Sequence, residues 1–167
     1  MGGIAAGDQH SLVVSREGGL YSFGGGACHG HTAIQLAPRL VAALQSIRVL
    51  AVATGASHSL VLNEAGEIYS FGYGGYGELG HGDTESQLMP LKIAGLQGVR
   101  VRSIAAGTST SLAVTSDGEA YGWGRGLGHI VLHEDEEENV DVNLVLGLEL
   151  TDHQLVPLKY PGLHLHA

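Results

Sequence analysis

Cysteine occurs once in this chain of 167 residues, at Cys28, so an internal disulfide framework is excluded. An oxidising compartment is therefore unnecessary, and an intracellular setting, cytoplasm or nucleus, is expected. Charged residues make up only 15% of the chain, against a typical ~25%. Proline appears four times, and the aromatic share is 5%. No apolar run approaches the ~18 residues of a membrane span, and no basic-plus-apolar leader reads as a signal peptide. The net charge of −9 argues against direct nucleic-acid binding, which calls for a basic surface.

What the chain has in excess is glycine, 27 residues. With ordinary hydrophobic content (44%), this is not a disordered composition, and no G-x-y period suggests collagen. Many short strands joined by tight turns are expected instead. The acidic balance belongs to one segment. Residues 1–133 carry nine acids and seven bases, whereas residues 134–152 carry eight acids and no base.

Self-similarity decides the architecture. Ile4-Ala5-Ala6-Gly7 returns as Val52-Ala53-Thr54-Gly55 and as Ile104-Ala105-Ala106-Gly107. Three residues after each glycine come His10-Ser11-Leu12, His58-Ser59-Leu60 and Thr110-Ser111-Leu112. Gly18, Gly66 and Gly118 follow, then Tyr21, Tyr69 and Tyr121, then Phe23-Gly24, Phe71-Gly72 and Trp123-Gly124. Further on, Pro38, Pro90 and Pro157 each have a leucine two residues before and another six after. Three units result: 1–45, 46–97 and 98–167, the last with an acidic insertion near 127–152. Only the stretch between the two blocks varies in length: 14 residues from Gly24 to Pro38, 18 from Gly72 to Pro90 and 33 from Gly124 to Pro157. The constant parts read as scaffold and the variable part as a loop.

Each unit reads as a small antiparallel sheet. Ser11–Val14 and Ser59–Leu62 have strand length, Ser15–Gly18 and Asn63–Gly66 are hairpin turns, and Leu20–Phe23 and Ile68–Phe71 return with period two. Proline, which cannot donate to a ladder, is expected at a sheet edge. Four strands per unit, repeated, fit radially arranged propeller blades better than a sandwich. The fold expected is all-β: a partial β-propeller of three four-stranded blades.

At these residues the sequence resembles the regulator of chromosome condensation repeat family. The pattern A-x-G-x-x-H-S-L, followed by the glycine turn, Tyr-Ser-Phe-Gly and G-x-L-G, is nearly complete from Ala53 through Gly80. The third unit departs from it at Thr110, where histidine is expected, and at Gly122, where serine is expected; the first lacks the G-x-L-G end. Kelch and WD-type propellers fit less well, since no double glycine or Trp-Asp dipeptide recurs in phase. The resemblance implies a fragment of a seven-bladed-type ring used as a rigid interaction platform. The reading that follows is a non-catalytic protein-interaction module. One rival is guanine-nucleotide exchange on a small Ran-like GTPase, the founding member's activity. Another is a truncated or partial propeller with no activity of its own.

Other constellations have plainer readings. Gly72-x-Gly74-x-x-Gly77 matches a dinucleotide pattern, but Glu78-Leu-Gly-His-Gly-Asp is a poor helix start, so repeat turns are expected and no cofactor. His10-Ser11 and His58-Ser59 are strand neighbours pointing to opposite faces, so each reads as packing and not as a catalytic dyad. His129 and His133 lack the further ligands of a metal site. Trp123 takes the core slot of Phe23 and Phe71. Two segments remain as partner contacts. One is the glycine-rich loop carrying Tyr73, Tyr76, Glu78, His81 and Asp83, where partners usually dock. The other is the acidic run beginning Glu134, Asp135 and Glu136, suited to a basic protein surface.

Two structural expectations complete the reading. Gly55 and Gly107 are expected in backbone conformations closed to β-branched residues. An arc of three blades would leave two apolar faces open, so self-association or completion by further repeats is expected.

Overall fold

The structure, a computed structural model, describes residues 3–25, 30, 32–125 and 153–164. Twelve strands run through the described residues, in three four-stranded antiparallel sheets. Blade 1 comprises β1 (Gly3–Ala6), β2 (His10–Val14), β3 (Leu20–Gly24) and β4 (Gln35–Leu40). Blade 2 comprises β5 (Val49–Thr54), β6 (His58–Asn63), β7 (Ile68–Gly72) and β8 (Gln87–Lys92). Blade 3 comprises β9 (Val101–Ala106), β10 (Thr110–Thr115), β11 (Glu119–Arg125) and β12 (His153–His164). In each sheet the strands lie in chain order. Pro38, Pro90 and Pro157 all fall on the outermost strand, where a missing N–H leaves no ladder bond broken. Among the described residues no helix is long and apolar enough to cross a membrane.

The β2–β3 type of hairpin is built the same way three times. Gly18, Gly66 and Gly118 turn the chain at φ of 89°, 80° and 84°, values that an L side chain resists. In the same turns Ser15 Oγ, Asn63 Oδ1 and Thr115 Oγ1 accept the backbone N–H of Gly19, Glu67 and Glu119, at 3.1, 2.8 and 3.0 Å.

Burial along the second strands records how the blades stack. In blade 1 the buried set is His10, Leu12 and Val14, with Ser11 and Val13 half-buried. In blade 3 the parity inverts: Ser111, Ala113 and Thr115 are buried, and Thr110, Leu112 and Val114 are half-buried. Blade 2 lies between them and buries all six residues of β6. Alternate residues face opposite sides of a sheet, so blades 1 and 3 each have one covered face and blade 2 has two. One apolar cluster fills the first seam, with Leu12, Val14 and Leu20 against Val49, Val61 and Phe71. A second fills the next, with Leu60, Leu62 and Ile68 against Val101, Ala113 and Trp123.

Hydrogen bonds cross both seams in register. His10 Nε2 meets Ser59 Oγ at 2.8 Å, and His58 Nε2 meets Ser111 Oγ at 2.9 Å. Asp8 N–H donates to the Ala56 carbonyl at 3.1 Å, and Ala56 N–H to the Thr108 carbonyl at 3.3 Å. The repeated histidine and serine therefore do not pair within a unit; each histidine reaches the serine of the next blade.

The repeated glycines correct one expectation. Gly7, Gly55 and Gly107 are not among the positive-φ glycines, so no closed backbone region requires them. The requirement at Gly55 is close approach. A Cβ there would lie 2.3 Å from the Gly107 carbonyl oxygen and 2.2 Å from His58 Cε1. Among the described residues, a Cβ at Gly107 would meet only Thr110 Cβ, at 3.8 Å.

Candidate functional site

The loop joining β7 to β8 carries five of the residues singled out above, and it is fastened to blade 3. No helix forms in it, so the glycine pattern makes turns and offers no helix N-terminus to a phosphate. Gly80 lies against the indole of Trp123, with an added Cβ only 2.8 Å from Nε1. The Glu78 carbonyl accepts two bonds from blade 3, one from Ser111 Oγ at 2.7 Å and one from Trp123 Nε1 at 2.9 Å. The Glu78 side chain is 2% exposed, and its Oε2 accepts the Tyr76 N–H at 2.7 Å. Burial raises the Glu78 carboxyl pKa, while backbone hydrogen bonds and the nearby His153 oppose the rise. Glu78 thus holds the loop in place and does not present itself at the surface.

His81 is half-buried for a similar reason. Ser70 Oγ gives its single proton to the Leu79 carbonyl at 2.7 Å, so the His81 Nε2–H must donate to Ser70 Oγ, at 2.9 Å. Burial lowers the His81 pKa, with Asp83 pulling the other way. Asp83 is exposed and accepts the Glu85 N–H at 3.0 Å.

The two tyrosines do reach solvent, and they are not alone. The Tyr76 ring stacks on His153, with centroids 5.5 Å apart and planes 4° from parallel. The Arg125 guanidinium lies 5.0 Å from the centre of the Tyr76 ring, in cation–π range. Tyr73 meets Tyr76 edge-on at 5.7 Å and is 45% exposed. Beside Tyr73 a groove of about 230 Å³ opens between blades 1 and 2, its rim including Gln9, Ser57, Ser86 and Leu88. The result is a rigid aromatic and cationic patch spanning the seam between blades 2 and 3.

Arg125 ends β11 and His153 begins β12, and Arg125 pairs with His153 in the sheet register. Sequence reasoning missed both, because 27 intervening residues separate them and neither stands in a repeated position. Glu134, Asp135 and Glu136, together with Cys28, His129 and His133, lie outside the described residues.

The buried histidines are not disguised dyads. Ser111 Oγ already donates to the Glu78 carbonyl, so His58 Nε2–H is the donor in their bond. That leaves His58 Nδ1 unprotonated, and among the described residues no group bonds it. Burial, with a smaller contribution from His10, lowers the His58 pKa to about 4. Ser59 and Ser111, the serines these histidines meet, are buried and not open to a substrate.

Gly122 also finds its reason here. A Cβ at Gly122 would lie 2.5 Å from the Tyr160 hydroxyl oxygen and 2.8 Å from Tyr160 Cε2. Tyr160 is 3% exposed, its hydroxyl has no hydrogen-bond partner among the described residues, and burial pushes its pKa up to about 12. Serine, the residue of the other two units, has no room in this one.

Comparison with known proteins gives a consistent picture. Two family models, both described as the regulator of chromosome condensation (RCC1) repeat, match residues 65–114 and residues 3–29 and 49–78. Together they span more than half of the chain. The E3 ubiquitin-protein ligase HERC2 of Mus musculus is 36% identical over 152 residues, which is 87% of this chain and 3% of that protein. The ultraviolet-B receptor UVR8 of Arabidopsis thaliana is 39% identical over 126 residues, 72% of this chain and 28% of that protein. Among solved structures, human WBSCR16 superposes with a TM-score of 0.76 at 22% identity, over 95% of this chain and 37% of that one. Prp20p of Saccharomyces cerevisiae, described with its binding properties to Gsp1p and histones, superposes with a TM-score of 0.72 at 26% identity, over 95% and 38%. The chain thus spans well under half the length of each of these relatives.

Proposed function

The chain belongs to the regulator of chromosome condensation repeat family, and from that premise we propose that it serves as a non-catalytic protein-interaction module working inside the cell. The observation that carries this reading is the patch of Tyr73, Tyr76, Arg125 and His153, which is held rigid by the bonds between the loop and blade 3. Tyrosine and arginine are the residue types that dominate binding energy at protein interfaces, and a preformed patch loses little entropy on binding. Asp83 lies on the same exposed loop. The acidic run from Glu134, Asp135 and Glu136 suits a partner with a basic surface.

The test is capture of partners on the immobilised chain, identified by mass spectrometry, with wild type compared against Tyr73→Ala and Arg125→Ala. Loss of a hot-spot residue costs about 2 kcal/mol, roughly thirtyfold in affinity, so specific partners should drop out of both variants. An unchanged set of partners would remove this patch from consideration.

A second reading is guanine-nucleotide exchange on a Ran-like GTPase. It is favoured by the likeness to Prp20p, a protein described for its binding to Gsp1p and histones. Release of a labelled guanine nucleotide from a Ran-like GTPase, with and without the chain, separates exchange from binding alone.

A further inference from the structure

The two seams are closed differently at the end where the loops lie. Over the second seam the chain lays its own Gly77–Gly80 segment. Glu78 Cα lies 3.2 Å from the place a Cβ would take on Gly124, and the Glu78 carbonyl accepts from Ser111 Oγ and Trp123 Nε1. Ser111 Oγ is thereby satisfied twice, as donor to that carbonyl and as acceptor from His58.

In the first seam the equivalents of Gly124, Ser111 and Trp123 are Gly72, Ser59 and Phe71. Among the described residues, no atom of blade 1 comes as near to the Cβ place of Gly72 as Glu78 does to that of Gly124. All three residues instead line the groove of about 230 Å³, where Ala56, Tyr73 and Leu88 add apolar surface. Ser59 is 1% exposed, and its Oγ meets His10 Nε2 at 2.8 Å. With the His10 ring donating as the His58 ring does, the Ser59 O–H is left without an acceptor among the described residues. A buried hydroxyl donor beside an apolar groove calls for a carbonyl oxygen. Blade 1 is short of chain to supply it. The stretch from Gly24 to Pro38 is 14 residues, against 18 from Gly72 to Pro90, and it lacks the G-x-L-G end.

We propose that the groove between blades 1 and 2 binds a short extended peptide segment of a partner protein, which gives one backbone carbonyl to Ser59 Oγ and seats an apolar side chain among Ala56, Phe71 and Leu88. The second seam supplies the precedent, since the segment in the corresponding place there is glycine-rich backbone held by its carbonyl. Backbone hydrogen bonds give such a segment its affinity, and the apolar walls select its side chain. Ser86, also on the groove, accepts the Gly74 N–H at 3.2 Å and keeps its own proton as a second donor. The proposal rests on the interaction-module reading and names the chemistry of one partner.

The probe is a capped peptide copying residues 75–81, titrated into the full chain labelled with nitrogen-15. Saturable shifts are expected at the amides of Ser59, Phe71 and Leu88, with Ser111 unmoved. Ser59→Ala should weaken binding about tenfold, the effect of one hydrogen bond. Ser57 is an exposed residue lining the groove, so Ser57→Leu should fill the groove and abolish binding at an unchanged melting temperature. It decides the matter if Ser59→Ala does not fold by circular dichroism. Absence of saturable shifts up to millimolar peptide, equal binding by wild type and the folded variants, or shifts confined to Ser111 would each overturn the proposal. So would shifts at Ser59 on raising the protein concentration alone, which would put a second copy in the groove. Arg125→Ala should bind the probe as wild type does, so this titration and partner capture can fail separately.

Discussion

Gly55 and Gly107 occupy the same position of the repeat, yet alanine should have opposite consequences at the two sites. At Gly55 the new methyl group would sit 2.3 Å from the Gly107 carbonyl oxygen, a backbone atom of the neighbouring blade that cannot rotate away. The imidazole of His58, at 2.2 Å, is held by its bond to Ser111. Relief requires the second seam to open. Overpacking of this kind costs about 1–3 kcal/mol. Stretching the His58–Ser111 and Ala56–Thr108 bonds adds roughly 1 kcal/mol each. A total of about 3–5 kcal/mol is a large share of the 5–15 kcal/mol typical of a folded domain. For a chain of this size it corresponds to a fall in melting temperature of about 6–20 °C. At Gly107 the only neighbour among the described residues is Thr110 Cβ at 3.8 Å, an ordinary contact, and the backbone is not left-handed. Gly107→Ala should stay within about 1 kcal/mol of wild type, with reduced unfolded-state entropy a small gain. Thermal melts followed by circular dichroism measure both. If Gly107→Ala falls as far as Gly55→Ala, the glycine requirement is local to each blade and the argument from the seam is wrong.

Acid should loosen the seams. His58 is neutral in the folded chain with a pKa lowered to about 4, while the unfolded chain takes up its proton near 6.5. Stability is therefore full above about pH 6.5 and declines toward pH 4, by on the order of 3 kcal/mol from His58, with His10 adding in the same direction. Denaturant melts from pH 7.5 to 4 should show this slope, and His58→Gln should flatten it. Gly122→Ser restores the residue of the other two units yet should destabilise by about 1–3 kcal/mol because Tyr160 fills the space. Tyr160→Phe, which removes an unbonded buried hydroxyl, should raise stability by about 1 kcal/mol in the same melts. Deletion of residues 134–141 removes part of a stretch whose length already varies between units, so the β-sheet circular dichroism should be unchanged.

Much of the architecture was legible in the chain because it is written three times. Glycine at 18, 66 and 118 recurs at matching points of the three units, and each turns a hairpin at positive φ, as its place between two strand-length runs implied. Proline at 38, 90 and 157 marks three outer strands for the same reason. The loop bearing Tyr73 and Tyr76 stood out because it lies where the repeats differ. Glu78 misled, since an acid in a glycine-rich loop reads as exposed, and nothing local says that blade 3 will bury it.

Local pattern determined the number of blades, the order of their strands and the faces of each strand, since period and turn chemistry act over a few residues. Only the tertiary structure decided what those faces touch. It turned a serine beside a histidine into a bond with the neighbouring blade and gave Gly55 a steric duty that Gly107 lacks. It also brought Arg125 and His153 to Tyr76 from opposite ends of a long insertion. The physical reason is that hydrogen bonds, ring stacking and van der Waals contact act over a few ångströms in space, and proximity between blades is fixed by their stacking and not by distance along the chain.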